Sequence, residues 1–351
     1  MNPDVKPPKP LDADCTNSTN GITSAIRAIR ANGATCSTGA PPSPPNTSAH
    51  WVTEPERSNA WALRLMTNIA LRCGRPFART VLHLIALYFV LFAPRPRRAS
   101  ARYLARVFGR PARWIEVYRH VYSFAATVLD RVYLLRHATS WLDLRATGTE
   151  HVDACLAAGR GAFLMGAHIG SFEALRATGR DNPDLRIAMV MYPDNARLIN
   201  AALAAIAPGE VPAIIALGRP DSMLAVLDHL ATGGLIGVLA DRAMPGESQT
   251  RSAPVRLPFL GSDAVFSDGP FRLAELLRQR IVFMVGLYLG GPIYDVRFEP
   301  LADFTERLRD PLAREQRIQA AMRAYVSRLE ALCREQPYNW FNFHDYWHDD
   351  A

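Results

Sequence analysis

Lysine is nearly absent from this sequence: Lys6 and Lys9 are the only two, so the net charge of +7 is carried by arginine. A basic surface suits an anionic membrane, nucleic acid or an acidic partner. The arginines are dispersed and no stacking motif accompanies them, which argues against nucleic acid. Cysteine is also scarce. Cys15, Cys36, Cys73, Cys155 and Cys333 are scattered, and no two have metal-ligand spacing. That argues against a zinc or disulfide framework and fits a reducing compartment, so no metal site is expected. The chain lacks a basic-then-apolar start, so no secretory signal is expected. It has no internal repeat. It also lacks an uninterrupted apolar run long enough to span a bilayer. The most apolar stretch, "TVLHLIALYFVLFA" from Thr80 to Ala93, makes about 21 Å of helix against a hydrocarbon core of roughly 30 Å.

What is present divides the chain into three. Residues 1–50 are rich in Pro, Asn, Ser and Thr and poor in large apolar side chains. Such a segment cannot bury enough surface to offset its ordering entropy, so a disordered tail is expected. Residues 51–138 hold the apolar run, with Arg75 and Arg79 before it and Arg95, Arg97 and Arg98 after it. Arginines on both sides suit a helix dipping into one leaflet, both ends at an anionic cytoplasmic face, more than a spanning helix. A buried core helix is the alternative. A second helical pattern runs from Pro111 to Leu135, with apolar residues at three- and four-residue steps.

Residues 139–351 follow a different grammar, in which short apolar runs alternate with helical stretches. Strands are expected at Leu144–Thr147, Gly161–Met165, Ile187–Met191, Ala213–Leu217, Leu235–Ala240, Ile281–Leu289 and Ile293–Phe298. Helices are expected at Val152–Ala158, Ser171–Thr178, Ala196–Ile206, Asp221–Ala231 and Asp268–Arg278, with a final helix from Pro311 to Arg334. The fold class is therefore α/β: a mainly parallel mixed sheet flanked by helices, with an N-terminal helical membrane-associated segment.

Ligands of open α/β sheets bind beyond the carboxyl ends of the strands. In "GAHIGSFEAL", residues 166–175, His168 follows a strand. Ser171 is a candidate N-cap, which places Glu173 in the first turn of the next helix. If the chain curls back, Glu173 fixes the imidazole tautomer and the other ring nitrogen takes a proton from a substrate hydroxyl. Gly166 and Gly170 would let a substrate approach the backbone. With nine histidines and thirty-three acids, about one such spacing arises by chance, and His344 and Asp349 form a second without the strand and helix around it. The pattern alone leaves a structural corner open.

"GAFLMGAHIGSFEAL" resembles the first motif of the bacterial late acyltransferases of lipid A biosynthesis, within the lysophospholipid acyltransferase superfamily. Three further stretches are similar to that family's motifs, in its order: "HLATGGLIGVLADRAM", "LPFLGSDAVFSDGPFRLAELLRQRIVFMVGLY" and "PYNWFNFHDYW". The resemblance covers about residues 57–347. It implies transfer of a fatty acyl group from acyl carrier protein or coenzyme A to a hydroxyl of a membrane lipid or glycolipid, without a covalent enzyme intermediate and with no cofactor beyond the acyl thioester. It implies His168 as general base and Glu173 as its orienting partner. The oxyanion would meet backbone N–H groups near Gly170 and the helix start. Gly170, Ser171, Asp241 and Arg242 would face the cleft, with Arg242, Arg219 and Arg197 as candidate phosphate ligands. For Arg197 a plain surface role is favoured. Phe259, Leu260 and Gly261 would border a pocket, or else form a core turn. The expected partners are acyl carrier protein, a lipid acceptor and an anionic membrane surface, with no nucleic acid, at the cytoplasmic face of a bacterial inner membrane. "ADR" in place of the more common Asp-Gln ending, and a tail lacking the usual basic residues, leave another glycolipid or a polyene-type pigment lipid open as acceptor in place of lipid A. Rival readings are a serine esterase using Ser171, which lacks the Gly-x-Ser-x-Gly elbow, and a non-catalytic membrane-surface protein.

Overall fold

The computed structural model describes residues 60–136, 140–179, 185–191, 213–216, 220–242 and 254–347. The first fifty residues, the expected helix at Ala196–Ile206, and Arg197 and Arg219 lie outside them.

Three helices precede the sheet. Helix α1 spans Ala60–Phe92 and is broken at Gly74, whose φ of 77° is not helical, with Pro76 opening the second segment. Helix α2, Pro94–Phe108, starts on a proline, where a missing N–H costs nothing. Helix α3 is Trp114–Leu135. The apolar run is therefore the end of a longer helix, and α2 was not anticipated. Helix α1 buries Ala78, Leu82, Ala86 and Val90, a four-residue stripe, and packs along α3. Tyr133 donates to the Ala70 carbonyl, and Arg75 is ion-paired to the buried Asp130 at 2.8 Å.

The sheet follows: β1 Asp143–Thr147, α4 Thr149–Ala157, β2 Ala162–Gly166, α5 Phe172–Thr178, β3 Ile187–Met191, β4 Ala213–Ala216, α6 Pro220–Ala231, β5 Leu235–Leu239. A hairpin comes next, β6 Val255–Phe259 and β7 Ser262–Phe266. Then come α7 Gly269–Leu276, β8 Arg280–Gly290, β9 Ile293–Asp303 and α8 Pro311–Glu335. Among the described residues the main sheet has seven strands in the order β1-β9-β8-β2-β5-β3-β4. Only the β8–β9 pair is antiparallel. The expected strands are all present within a few residues of their expected ends. The β6–β7 hairpin is additional.

The central strands β2, "AFLMG", and β5, "LIGVL", are buried nearly throughout because helices cover both faces. Phe163 and Met165 enter one core with α2, α8 and the C-terminal aromatic residues. Ala162 and Leu164 enter the other with α3 and α5. Parallel β2 and β5 pair Gly166 with Leu239. The two strands thus end abreast, and residues at equal distances past those ends emerge side by side.

Candidate active site

His168 stands two residues past β2 and Asp241 two residues past β5. The register puts them together. His168 Nδ1 lies 2.8 Å from Asp241 Oδ1, and the His168 backbone N–H donates to Oδ2 at 3.0 Å. Asp241 is fully buried, and its Oδ2 also accepts from the Trp340 indole at 3.0 Å. Burial opposes ionisation of this carboxyl. The charge and hydrogen bond of His168, the nearby Arg242 and the indole donor outweigh that cost, so its pKa lies well below the carboxylate range. An ionised carboxylate only accepts, so Nδ1 carries the proton and Nε2 holds the lone pair. Nε2 has no hydrogen-bond partner among the described residues, and the ring is one-third exposed. The geometry is that of an oriented general base.

The expected His168–Glu173 contact is not made. Glu173 instead forms an ion pair with Arg131 of α3 at 2.7 Å. The reason is local. Gly170 takes a φ of 68° and packs so tightly on β8 that an added Cβ would fall 2.0 Å from the Gly286 oxygen. The Ser171 N–H donates to that same oxygen at 2.7 Å, and Ser171 Oγ caps α5 by accepting from Ala174. The turn therefore sends α5 into the core layer of α3, while Asp241 lies with the aromatic tail. The buried Ser171 hydroxyl serves as a cap and makes no hydrogen bond to His168.

The C-terminal tail closes over this corner. Gly170 N–H donates to the Asn339 carbonyl at 2.9 Å, and Phe341 N–H to the His168 carbonyl at 2.7 Å. The Asn339 amide bridges the Tyr288 backbone in both directions. Tyr346 OH donates to the Asp241 carbonyl. On the far side of Trp340, buried His120 of α3 donates Nε2–H to the Trp340 carbonyl at 2.8 Å, and Ser100 of α2 sits on its Nδ1. A chain of hydrogen bonds thus runs from the N-terminal helices through Trp340 and Asp241 to His168. The tail was legible as aromatic. Its role in holding Asp241 was not, although an indole inside so apolar a cluster needs a hydrogen-bond partner.

Phe259, Leu260 and Gly261 lie at the β6–β7 hairpin turn. Phe259 is fully buried, edge-to-face on Trp340 with centroids 5.3 Å apart, and Leu260 N–H donates to Glu330. Phe259 and Leu260 are buried, while Gly261 at the turn is exposed. Arg242 follows Asp241, partly exposed, with its Nε buried and unpartnered. Among the described residues no cluster of His, Cys, Asp or Glu has the makings of a metal site.

Residues 49–349 match the family model of the bacterial lipid A biosynthesis acyltransferases. The chain belongs to that family. This acyltransferase acts in lipid biosynthesis, and the His168 corner lies inside the matched region. A comparison with curated proteins finds no match.

Proposed function

We propose that this acyltransferase moves a fatty acyl group from an acyl thioester, on acyl carrier protein or coenzyme A, to a hydroxyl of a lipid A-type glycolipid. His168 Nε2 is the general base, and Asp241 is its orienting partner. The observation that carries this reading is the 2.8 Å Nδ1–carboxylate hydrogen bond at adjacent strand ends, with Nε2 left without a partner among the described residues. In it Glu173 acts through Arg131, anchoring α5 and so the turn that presents His168. The arginine-rich surface suits an acidic carrier protein, mostly through on-rate. Helix α1 supports a membrane-bound site at the cytoplasmic face of the inner membrane. Asn68–Phe92 is long and apolar enough to cross a bilayer, with a mean hydropathy of 1.3, yet one side of it is packed on α3. The outward side shows Phe77, Leu84, Tyr88, Phe89, Leu91 and Phe92. An in-plane docking helix fits both facts.

The test is mass analysis after incubating the full chain with a fatty acyl–acyl carrier protein, or the acyl coenzyme A, and detergent-dispersed glycolipid. The acceptor is expected to gain one acyl group. Release of free fatty acid with no acylated acceptor would favour a hydrolase.

A further inference from the structure

Acyl transfer makes one demand that the His168–Asp241 pair does not meet. The acceptor oxygen bonds to the thioester carbon as its proton passes to His168 Nε2. The carbonyl π pair moves onto the carbonyl oxygen, which becomes an anion. That anion collapses, the C–S bond breaks, and the thiolate leaves with the proton from His168. Such an oxyanion needs preorganised donors. The backbone amides from His168 to Ser171 are the first candidates, and they are taken. His168 N–H donates to Asp241, Ile169 N–H to the Ala167 carbonyl, Gly170 N–H to Asn339 and Ser171 N–H to Gly286.

One strong donor next to the pair is uncommitted among the described residues. Arg242 directly follows Asp241, and its guanidinium acts through space on Asp241 and Tyr346. Its Nε is buried without a partner, and the side chain makes no hydrogen bond or ion pair with any described residue. A guanidinium nitrogen held in this way is open to a second, arriving anion. We infer that Arg242 supplies the oxyanion contact: its guanidinium meets the negative oxygen of the tetrahedral intermediate, in the place of corner amides that are already bonded. Burial lowers its pKa and Asp241 raises it, so the guanidinium is partly desolvated, and a charge–charge contact there is stronger than in bulk water.

This rests on the acyl-transfer reading, and the test separates the two. Acyl-transfer kinetics and thermal melting are measured on the full-length wild type, Arg242→Met and Arg242→Lys, at a pH where the rate has reached its plateau. Arg242→Met is expected to lower kcat by about 10²- to 10³-fold with both KM values held within about threefold. Its Tm should stay close to that of the wild type, because Arg242 makes no hydrogen bond or ion pair with a described residue for the fold to lose. Arg242→Lys should fall between. A near-normal kcat in Arg242→Met would overturn the inference. So would a raised KM at constant kcat, which would mark a ground-state anion site. Recovery of kcat at higher pH would also overturn it, since Arg242 would then act only by tuning His168. A wild type that transfers no acyl group would sink the proposed function itself.

Discussion

Asp241 accepts the Nδ1–H of His168 from 73 residues away in sequence, and it does so because β2 and β5 end in register. Gly166 and Leu239 are paired, and each of the two side chains stands two residues farther on. The imidazole and its carboxylate partner therefore come from two separate strand ends and not from one motif. Their alignment depends on the strand pairing, the burial of the carboxylate and the indole that holds its second oxygen.

Trp340→Phe removes that indole donor and keeps a ring in the cluster. With one donor fewer, the Asp241 carboxylate becomes more basic and holds the protonated imidazole more firmly. The acidic limb of the kcat/KM profile should then move to higher pH. The plateau should fall by roughly tenfold as the carboxylate loses part of its fixed orientation. Trp340→Ala would confuse the result, since emptying so large a buried site costs about 3–5 kcal/mol. An unmoved limb would show that the indole does not reach the base.

His120 makes stability depend on pH. Burial pushes its pKa down, and the hydrogen bond to the Trp340 carbonyl only partly opposes this, leaving it at about 4 against an ordinary 6.5. The folded value lies below the unfolded one, so the unfolded chain takes up the proton first. The neutral, folded form is favoured in full above the ordinary value. That stability drains away as pH falls toward the folded value, by about 3 kcal/mol over the whole window. Melting curves at pH 7 and pH 5 should converge for wild type and His120→Phe. The variant starts lower, because Ser100 and the Trp340 carbonyl lose their partner, and it falls less steeply. Parallel curves would contradict this.

Membrane docking is tested on the outward face of α1. Leu84 and Phe92 are 68% and 64% exposed, and neither belongs to the stripe packed on α3. Leu84→Glu with Phe92→Glu should reduce co-sedimentation with anionic phospholipid vesicles at least several-fold, as apolar insertion and surface attraction are both weakened. The melting temperature should hardly change. Unchanged retention on vesicles would place the membrane contact elsewhere.

The parts of the fold that were legible in sequence share one cause. β2, β3, β5 and β8 are short apolar runs because both faces are buried, so composition alone reveals them. The β6–β7 hairpin was not legible. Its burial is mixed, Pro258 interrupts it, and its Leu260-Gly261 turn lacks the Asn-Gly or Asp-Gly signal. Helix α2 was hidden because Pro94, Arg95, Pro96 and Arg97 read as the flank of the apolar run before it. His168 could be found from its place after a strand. Its carboxylate partner could not be found from spacing, which looks only along the chain and pointed to Glu173. The structure pairs Glu173 with Arg131, and only the β2–β5 register brings Asp241 to the ring.

The most direct test of the account is acyl-transfer turnover per folded molecule for wild type, His168→Ala, Asp241→Asn, the double variant and Glu173→Gln, each with its melting curve. His168→Ala should lower kcat by about 10²- to 10⁴-fold. Asp241→Asn should approach that loss, because an amide no longer imposes the Nδ1–H tautomer. The double variant should be little worse than His168→Ala, since groups acting as a unit are not additive. Glu173→Gln should show its loss chiefly in thermal stability, through the weakened Arg131 pair, and lose less turnover than Asp241→Asn. A near-normal turnover in Asp241→Asn, beside an inactive but folded Glu173→Gln, would contradict the account.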